Sequence, residues 1–198
     1  MFRQFLILIS CLVMLTSPAW AETSPREVVE QFQEALLTSM RQGDKLSFQA
    51  RYDQLRSAVS ESHDLAKIAR IVVGRTWQEL SPEQQQQLVE TFSRLSIASY
   101  ANNFKSYSGE SFAFKRQETT PRGGVVIHTQ LQIPNDDTVN FDYMLKETGG
   151  RWQIINIIAN GVSDLALKRS EYTAILNRDD FATLIAKMQE KIALYSQE

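Results

Sequence analysis

The side chains in this sequence that could move a proton or hold a metal are few. There are two histidines, His63 and His128, and one cysteine, Cys11. His63 stands in Glu61-Ser62-His63-Asp64, a polar run between two helical patterns. It reads as a solvated residue at a helix start, and a metal would need more ligands at usable spacing than this run supplies. His128 stands mid-strand in an alternating segment. Turned into the interior of a curved sheet, with a carboxylate beside it, it would serve as a general acid or base. No second histidine or cysteine accompanies it, so a structural or water-facing role is the simpler reading. There is no G-x-S-x-G, P-loop or dinucleotide fingerprint.

Cys11 lies in what reads as an export signal. Arg3 supplies a positive start, Phe5 to Leu15 is the apolar stretch, and Ala19-Trp20-Ala21 is a small-x-small cleavage site. The apolar stretch is too short to span a bilayer and Pro18 follows it. Leu8-Ile9-Ser10-Cys11 resembles a lipobox, but it leaves only about four apolar residues ahead of it, against the ~7–15 a signal needs. Cleavage after Ala21 gives a mature chain of 22–198 with no thiol and hence no disulfide. That length suits one domain with a sizeable core. A net charge of -2 without any Lys/Arg block argues against nucleic acid and against strong binding to anionic membranes.

The elements that must position these side chains follow from periodicity. Ser24-Pro25-Arg26-Glu27 is a capping box with proline at the first helical position. The helix it opens carries Val28, Phe32, Leu36 and Met40 on one face and stops at Gly43. A second helix is expected over Ser47 to Val59. A third is capped by Asp64, carries Leu65, Ile68, Ala69, Val72 and Val73, and ends at Gly74. Ser81-Pro82-Glu83-Gln84 opens a long helix to about Lys105, apolar around more than a narrow stripe, which predicts two neighbours. From Ser111 the pattern alternates. Strands are expected over Ser111 to Thr119, Val125 to Ile133, Val139 to Leu145 and from Trp152 onward, joined by short turns. Val125, Ile127, Leu131 and Ile133 share one face of the second strand, and Val126, His128, Gln130 and Gln132 share the other. Two helices, about Asp164 to Leu176 and Asp180 to Leu194, close the chain. The predicted class is α+β, an antiparallel four-stranded twisted sheet packed with helices.

The stretch Trp152 to Leu176, WQIINIIANGVSDLALKRSEYTAIL, joins an almost unbroken apolar strand to Asn160-Gly161, a Ser163 cap and a helix. A strand apolar on both faces needs cover on each side. Its W…GVS…L…K/R…E-aromatic…L pattern resembles the MlaC family of periplasmic phospholipid-binding, or toluene-tolerance auxiliary, proteins. Asp64-Leu65…Ala69-Arg70…Val73-Gly74…Trp77 and Leu80-Ser81-Pro82-Glu83-Gln84 leading to Phe92 and Tyr100-Ala101 resemble two further parts of it. Asn156 and Asn160 stand where many members have acidic residues, and Val162 to Tyr172 looks closer to the hopanoid-associated branch.

The resemblance implies an NTF2-like cone elaborated by N- and C-terminal helices around an apolar cavity. It implies a periplasmic carrier, not an enzyme and without a cofactor, that shuttles phospholipid between an outer-membrane lipoprotein complex and an inner-membrane ABC transporter, maintaining outer-membrane lipid asymmetry. Helical candidates for the lining are Val72, Phe92, Leu95, Tyr100, Phe104 and Leu165. Strand candidates are Val126, Phe141, Tyr143, Ile155 and Ile157. Arg70, Arg75, Lys168 and Arg169 are candidate headgroup contacts. Periodicity does not separate a filled core from a hollow one. Exposing an acyl chain costs about 0.8 kcal/mol per CH₂, so two chains cost on the order of 20 kcal/mol. A carrier therefore needs a cavity near or above the top of the usual ~300–1,000 Å³ range. A hopanoid carrier, a small NTF2-like enzyme using His128, and an interaction module with a solid core are the alternatives.

Overall fold

Each helix begins where a side chain can satisfy its first N–H groups. In the computed structural model, which describes residues 23–197, α1 (Pro25–Gln42) opens on Ser24. The Ser24 hydroxyl accepts from the Glu27 N–H at 3.3 Å, and the Glu27 carboxylate accepts from the Ser24 N–H at 2.7 Å. This is the reciprocal box the sequence predicts. α4 (Pro82–Asn103) repeats it with Ser81 and Gln84. Asp64 caps α3 (Leu65–Val73), Ser163 caps α5 (Asp164–Arg178) and Asp180 caps α6 (Phe181–Tyr195). α2 (Phe48–Ser62) runs past its expected end at Val59, which makes His63 its C-cap. The signal segment read at 1–21, with Cys11, lies outside the described residues.

β1 (Ser111–Thr119), β2 (Val125–Gln132), β3 (Val139–Thr148) and β4 (Arg151–Ala159) form the expected antiparallel meander. A two-residue β5 (Val162–Ser163) is added beside β4. Asn160 (φ 47°) and Gly161 (φ 83°) both take left-handed conformations, which is what a two-residue hairpin turn requires. Bulges between Phe114 and Arg116 and between Met144 and Leu145 interrupt the register and bend the strands.

Side-chain alternation gives the sheet two unlike faces. Ile127 pairs with Tyr143 and Tyr143 with Ile157, and this line is covered by helices. Val126 pairs with Met144 and His128 with Asp142 on the opposite face. One core cluster joins Val29 from α1, Leu55 and Val59 from α2, Leu88 from α4 and Leu184 from α6 with Ile127 and Ile154 of the sheet. Both ends of the chain thus contribute to one core. At its edge the link after α2 is stitched to β4. The Asp64 N–H donates to the Ile154 carbonyl at 3.0 Å, and Gln153 Nε2 donates to the His63 carbonyl at 3.2 Å.

One end of the helical layer is tied by a buried cation. Arg51 Nε donates to the Ala101 carbonyl at 2.9 Å, and Nη1 donates to the carbonyls of Leu46 at 2.7 Å and Gly43 at 3.3 Å. Gly43 is required here by contact: a Cβ would lie 1.8 Å from the Lys105 carbonyl oxygen. Among the described residues no helix is long and apolar enough to cross a membrane.

Candidate functional site

Between the helix-covered face of the sheet and α1, α3, α4 and α5 lies an apolar cavity of about 370 Å³. The sheet supplies Phe141, Tyr143, Ile157 and Ala159. α4 supplies Phe92, Ser96, Ser99, Tyr100 and Asn103, which the 3.6-residue period places on one face, and Phe104 follows them. α1 adds Phe32 and Leu36, and α3 adds Leu65 and Ile68. The Ser96 hydroxyl is satisfied by the Phe92 carbonyl at 2.9 Å, so that stretch of wall stays apolar in effect. At the open side Val162 and Leu167 are 53% and 59% exposed, large apolar side chains facing water beside the Asp164–Lys168 ion pair.

The inner end is an aromatic cluster with one polar thread through it. The Phe32 ring stands edge-on to His63 (4.9 Å between centroids), Tyr100 (5.1 Å) and Tyr143 (6.4 Å). His63 Nε2 lies 3.1 Å from the Tyr100 hydroxyl, and Nδ1 lies 2.8 Å from Ser62 Oγ. The Ser62 hydroxyl donates to the Ala58 carbonyl. Its proton is therefore committed, so His63 Nδ1–H donates to Ser62 and Nε2 accepts from Tyr100. Burial lowers the His63 pKa from 6.5 to about 4 and pushes the Tyr100 hydroxyl well up, so both are neutral near pH 7. His63 is thus a buried, fully bonded wall residue, not the solvated helix-start residue expected. The polar run around it misled because the α2–α3 link passes against β4.

Of the eleven lining candidates, Phe92, Tyr100, Phe104, Phe141, Tyr143 and Ile157 border the cavity. Val72 is buried in the core, and Leu95, also buried, borders only a separate void of about 10 Å³ between α4, α5 and α6. Leu165 packs against that core outside the lining, and Ile155 sits at the β4 bulge. Val126 cannot reach the cavity, because the two-residue period of β2 turns it to the opposite face. Phe32, Leu36, Leu65 and Ile68 were legible as helix stripes but carried no sign that they faced a void. Ser96, Ser99 and Asn103 were legible by counting along α4 from Phe92.

His128 is on the far face. Its Nδ1 lies 2.6 Å from Asp142 Oδ1 and its Nε2 lies 3.5 Å from Glu118 Oε2. It has the carboxylate that an acid or base wants, but the sheet separates it from the cavity, which removes the motive for an enzyme acting there on an apolar substrate. Asn156, which departs from the acidic residue common in the resembled family, uses its amide oxygen to accept from Ser163 Oγ at 3.1 Å and the Leu165 N–H at 3.2 Å. A neutral acceptor thus anchors the start of α5.

Two other concavities differ in kind. A groove of about 970 Å³ runs between α1, α2 and the β3–β4 hairpin. It is larger than the cavity, but Gln31, Gln54, Glu61, Glu147 and Arg151 make its walls polar, so it suits water better than an apolar ligand. Phe32 borders both spaces. The third, about 280 Å³, gathers Arg70, Arg75 and Arg169 around Gly74 and Trp77. Of the four basic candidates, only Lys168 borders the cavity; the three arginines line this separate pocket.

Comparison with known proteins gives a consistent picture. The sequence model described as "MlaC protein" matches residues 30–190. The intermembrane phospholipid transport system binding protein MlaC of Haemophilus influenzae is 24% identical over 188 residues, covering 89% of this chain and 86% of its own. The toluene tolerance protein ttg2D of Pseudomonas putida is 23% identical over 181 residues, covering 89% and 83%. Among solved structures, a phospholipid-binding protein of Ralstonia solanacearum, determined in complex with a phospholipid, superposes with a TM-score of 0.75 at 20% identity. It covers 89% of this chain and 99% of its own.

Proposed function

This chain belongs to the MlaC family, and on that premise we propose that it is a carrier that binds the acyl chains of a phospholipid and moves them through water. The observation that carries the reading is the apolar cavity between sheet and helices, open to solvent at Val162 and Leu167. At its inner end the polar atoms of His63, Tyr100 and Ser96 are neutral and already bonded, so the depth of the cavity offers an acyl chain dry walls, and the charged pair Asp164–Lys168 stands only at the open side. The names of the relatives from H. influenzae and P. putida, and the lipid held by the R. solanacearum protein, support the same class of ligand.

The volume adds a requirement. A space of about 370 Å³ stands near the lower end of the usual ~300–1,000 Å³ range for ligand pockets, below the volume a carrier was expected to have. Loading a two-chain lipid is expected to widen the cavity. Phe32, the wall shared with the polar groove, is the side chain whose movement would join the two spaces. Lys168, held by Asp164 at the open side, is placed to meet a phosphate.

Cleavage of 1–21 on export, action in the periplasm, and exchange with an outer-membrane lipoprotein complex and an inner-membrane ABC transporter complete the proposal. Native mass spectrometry of the mature protein, with extraction and identification of the lipid, tests it. Phospholipid near one per protein is expected. A hopanoid would move the cargo to the other branch, and a folded protein that stays empty in contact with vesicles would overturn the reading. Phe92→Trp and Ile157→Trp fill the space that a chain needs, so both are expected to lower occupancy at least several-fold while remaining folded.

A further inference from the structure

The arginine pocket shares no lining residue with the apolar cavity. α3 and α5 separate the two: Leu65, Ile68 and Lys168 face the cavity, whereas Arg70, Ile71 and Arg169 face the pocket. Elsewhere Arg26, Arg41, Arg56, Arg116 and Arg178 each hold a carboxylate of the chain. Arg70, Arg75 and Arg169 do not. Among the described residues their guanidinium groups have no ion-pair or hydrogen-bond partner, and no Asp or Glu lines the pocket. A chain of net charge -2 thus gathers three uncompensated positive charges around about 280 Å³.

The backbone is shaped for this. Gly74 has φ 59° and ψ -127°, a conformation that residues with a Cβ avoid, and it turns the chain from α3 into the short helical turn bearing Arg75 and Trp77. A Cβ on Gly74 would meet Arg169 Nη2 at 3.5 Å, so the guanidinium lies over the bare glycine. Trp77 supplies an apolar wall.

We propose that this pocket binds the terminal phosphate of a phosphate monoester. Three guanidinium forks match three terminal oxygens and a charge of about −1.5 to −2 near pH 7, whereas a carboxylate offers two oxygens and one charge. Like charges held together repel, and a dianion at their centre removes that repulsion. The proposal does not depend on what fills the cavity.

The source is a bilayer headgroup or a free phosphate ester, and two arms separate them. Calorimetric titration of the mature protein with glycerol 3-phosphate, using acetate as control, reads the free ester. Co-sedimentation with phosphatidylcholine vesicles, with and without phosphatidic acid, reads the headgroup. Binding in either arm supports the site and names its source. R70Q/R75Q/R169Q is expected to weaken it at least tenfold while leaving cavity occupancy in native mass spectra unchanged. If that variant does not fold, the exposed single change Arg169→Glu gives the same comparison. No wild-type binding in either arm, equal binding by acetate, or equal binding by the variants overturns the proposal. An empty cavity with an intact phosphate site would instead overturn the carrier reading alone.

Discussion

The two histidines occupy opposite sides of one sheet, and their surroundings differ in every term that matters. His63 faces the cavity, edge-on to Phe32, bonded only to the neutral hydroxyls of Tyr100 and Ser62. His128 faces away from the helices, between Asp142 and Glu118. Charge is kept away from the inner end of the cavity around His63 and stands on the bare face and at the cavity's open side. A buried apolar wall bears an unpaired charge or an unbonded polar group only at a cost of several kcal/mol. Its polar groups are there to be satisfied and silent.

The sharpest way to break this contrast is to move a charge across the sheet by one residue. Ile127 is fully buried on the helix side and Val126 is its neighbour on the other. Ile127→Lys is expected to cost more than about 4 kcal/mol and abolish cooperative unfolding, because the ammonium has no partner in the core. Val126→Lys is expected to stay within about 1 kcal/mol in urea denaturation. Similar losses for both would mean that the bare face is covered by something.

The next effect is a pH dependence carried by His63. Its folded pKa, about 4, lies below the ordinary 6.5, so the neutral form is the one the fold stabilises. Between these values the unfolded chain binds more protons. Stability from this group is therefore complete above pH 6.5 and is lost as pH falls toward 4, a change on the order of 3 kcal/mol. His63→Gln is expected to flatten that acid limb in denaturation midpoints measured from pH 7 to 4. An unchanged limb would show that His63 is hydrated. The smallest effect belongs to the other histidine: Asp142→Asn weakens a partly exposed side-chain hydrogen bond to His128 and is expected to change stability by no more than about 1 kcal/mol.

Much of this was legible because the physics is local. Ser24-x-x-Glu27, Ser81-x-x-Gln84 and Asp64 mark helix starts whatever surrounds them, and the alternation of β2 and β3 is set by the pleat. The cavity was not legible in the same way. Phe92 and Leu95 belong to the same apolar helix, yet one borders the cavity and the other packs toward α5 and α6, and that difference depends on elements far along the chain. Val126 was misplaced although its own alternation put it with His128. β5 was missed because two residues carry no period. His63 was misread because a polar neighbourhood in sequence became a buried one through contact with β4.

Strand order in this sheet is chain order. Each hairpin closes over a short loop, on a microsecond scale, so the sheet can zip up from its own turns. The helical cover cannot. α4 packs on α6, and α1 packs across β1, β2 and β4, so these contacts wait for distant parts of the chain. The wall facing the sheet is therefore assembled late in the folding order. The sheet can thus stand complete before the helices that cover it are in place, and the side that holds the cavity is the last to be closed.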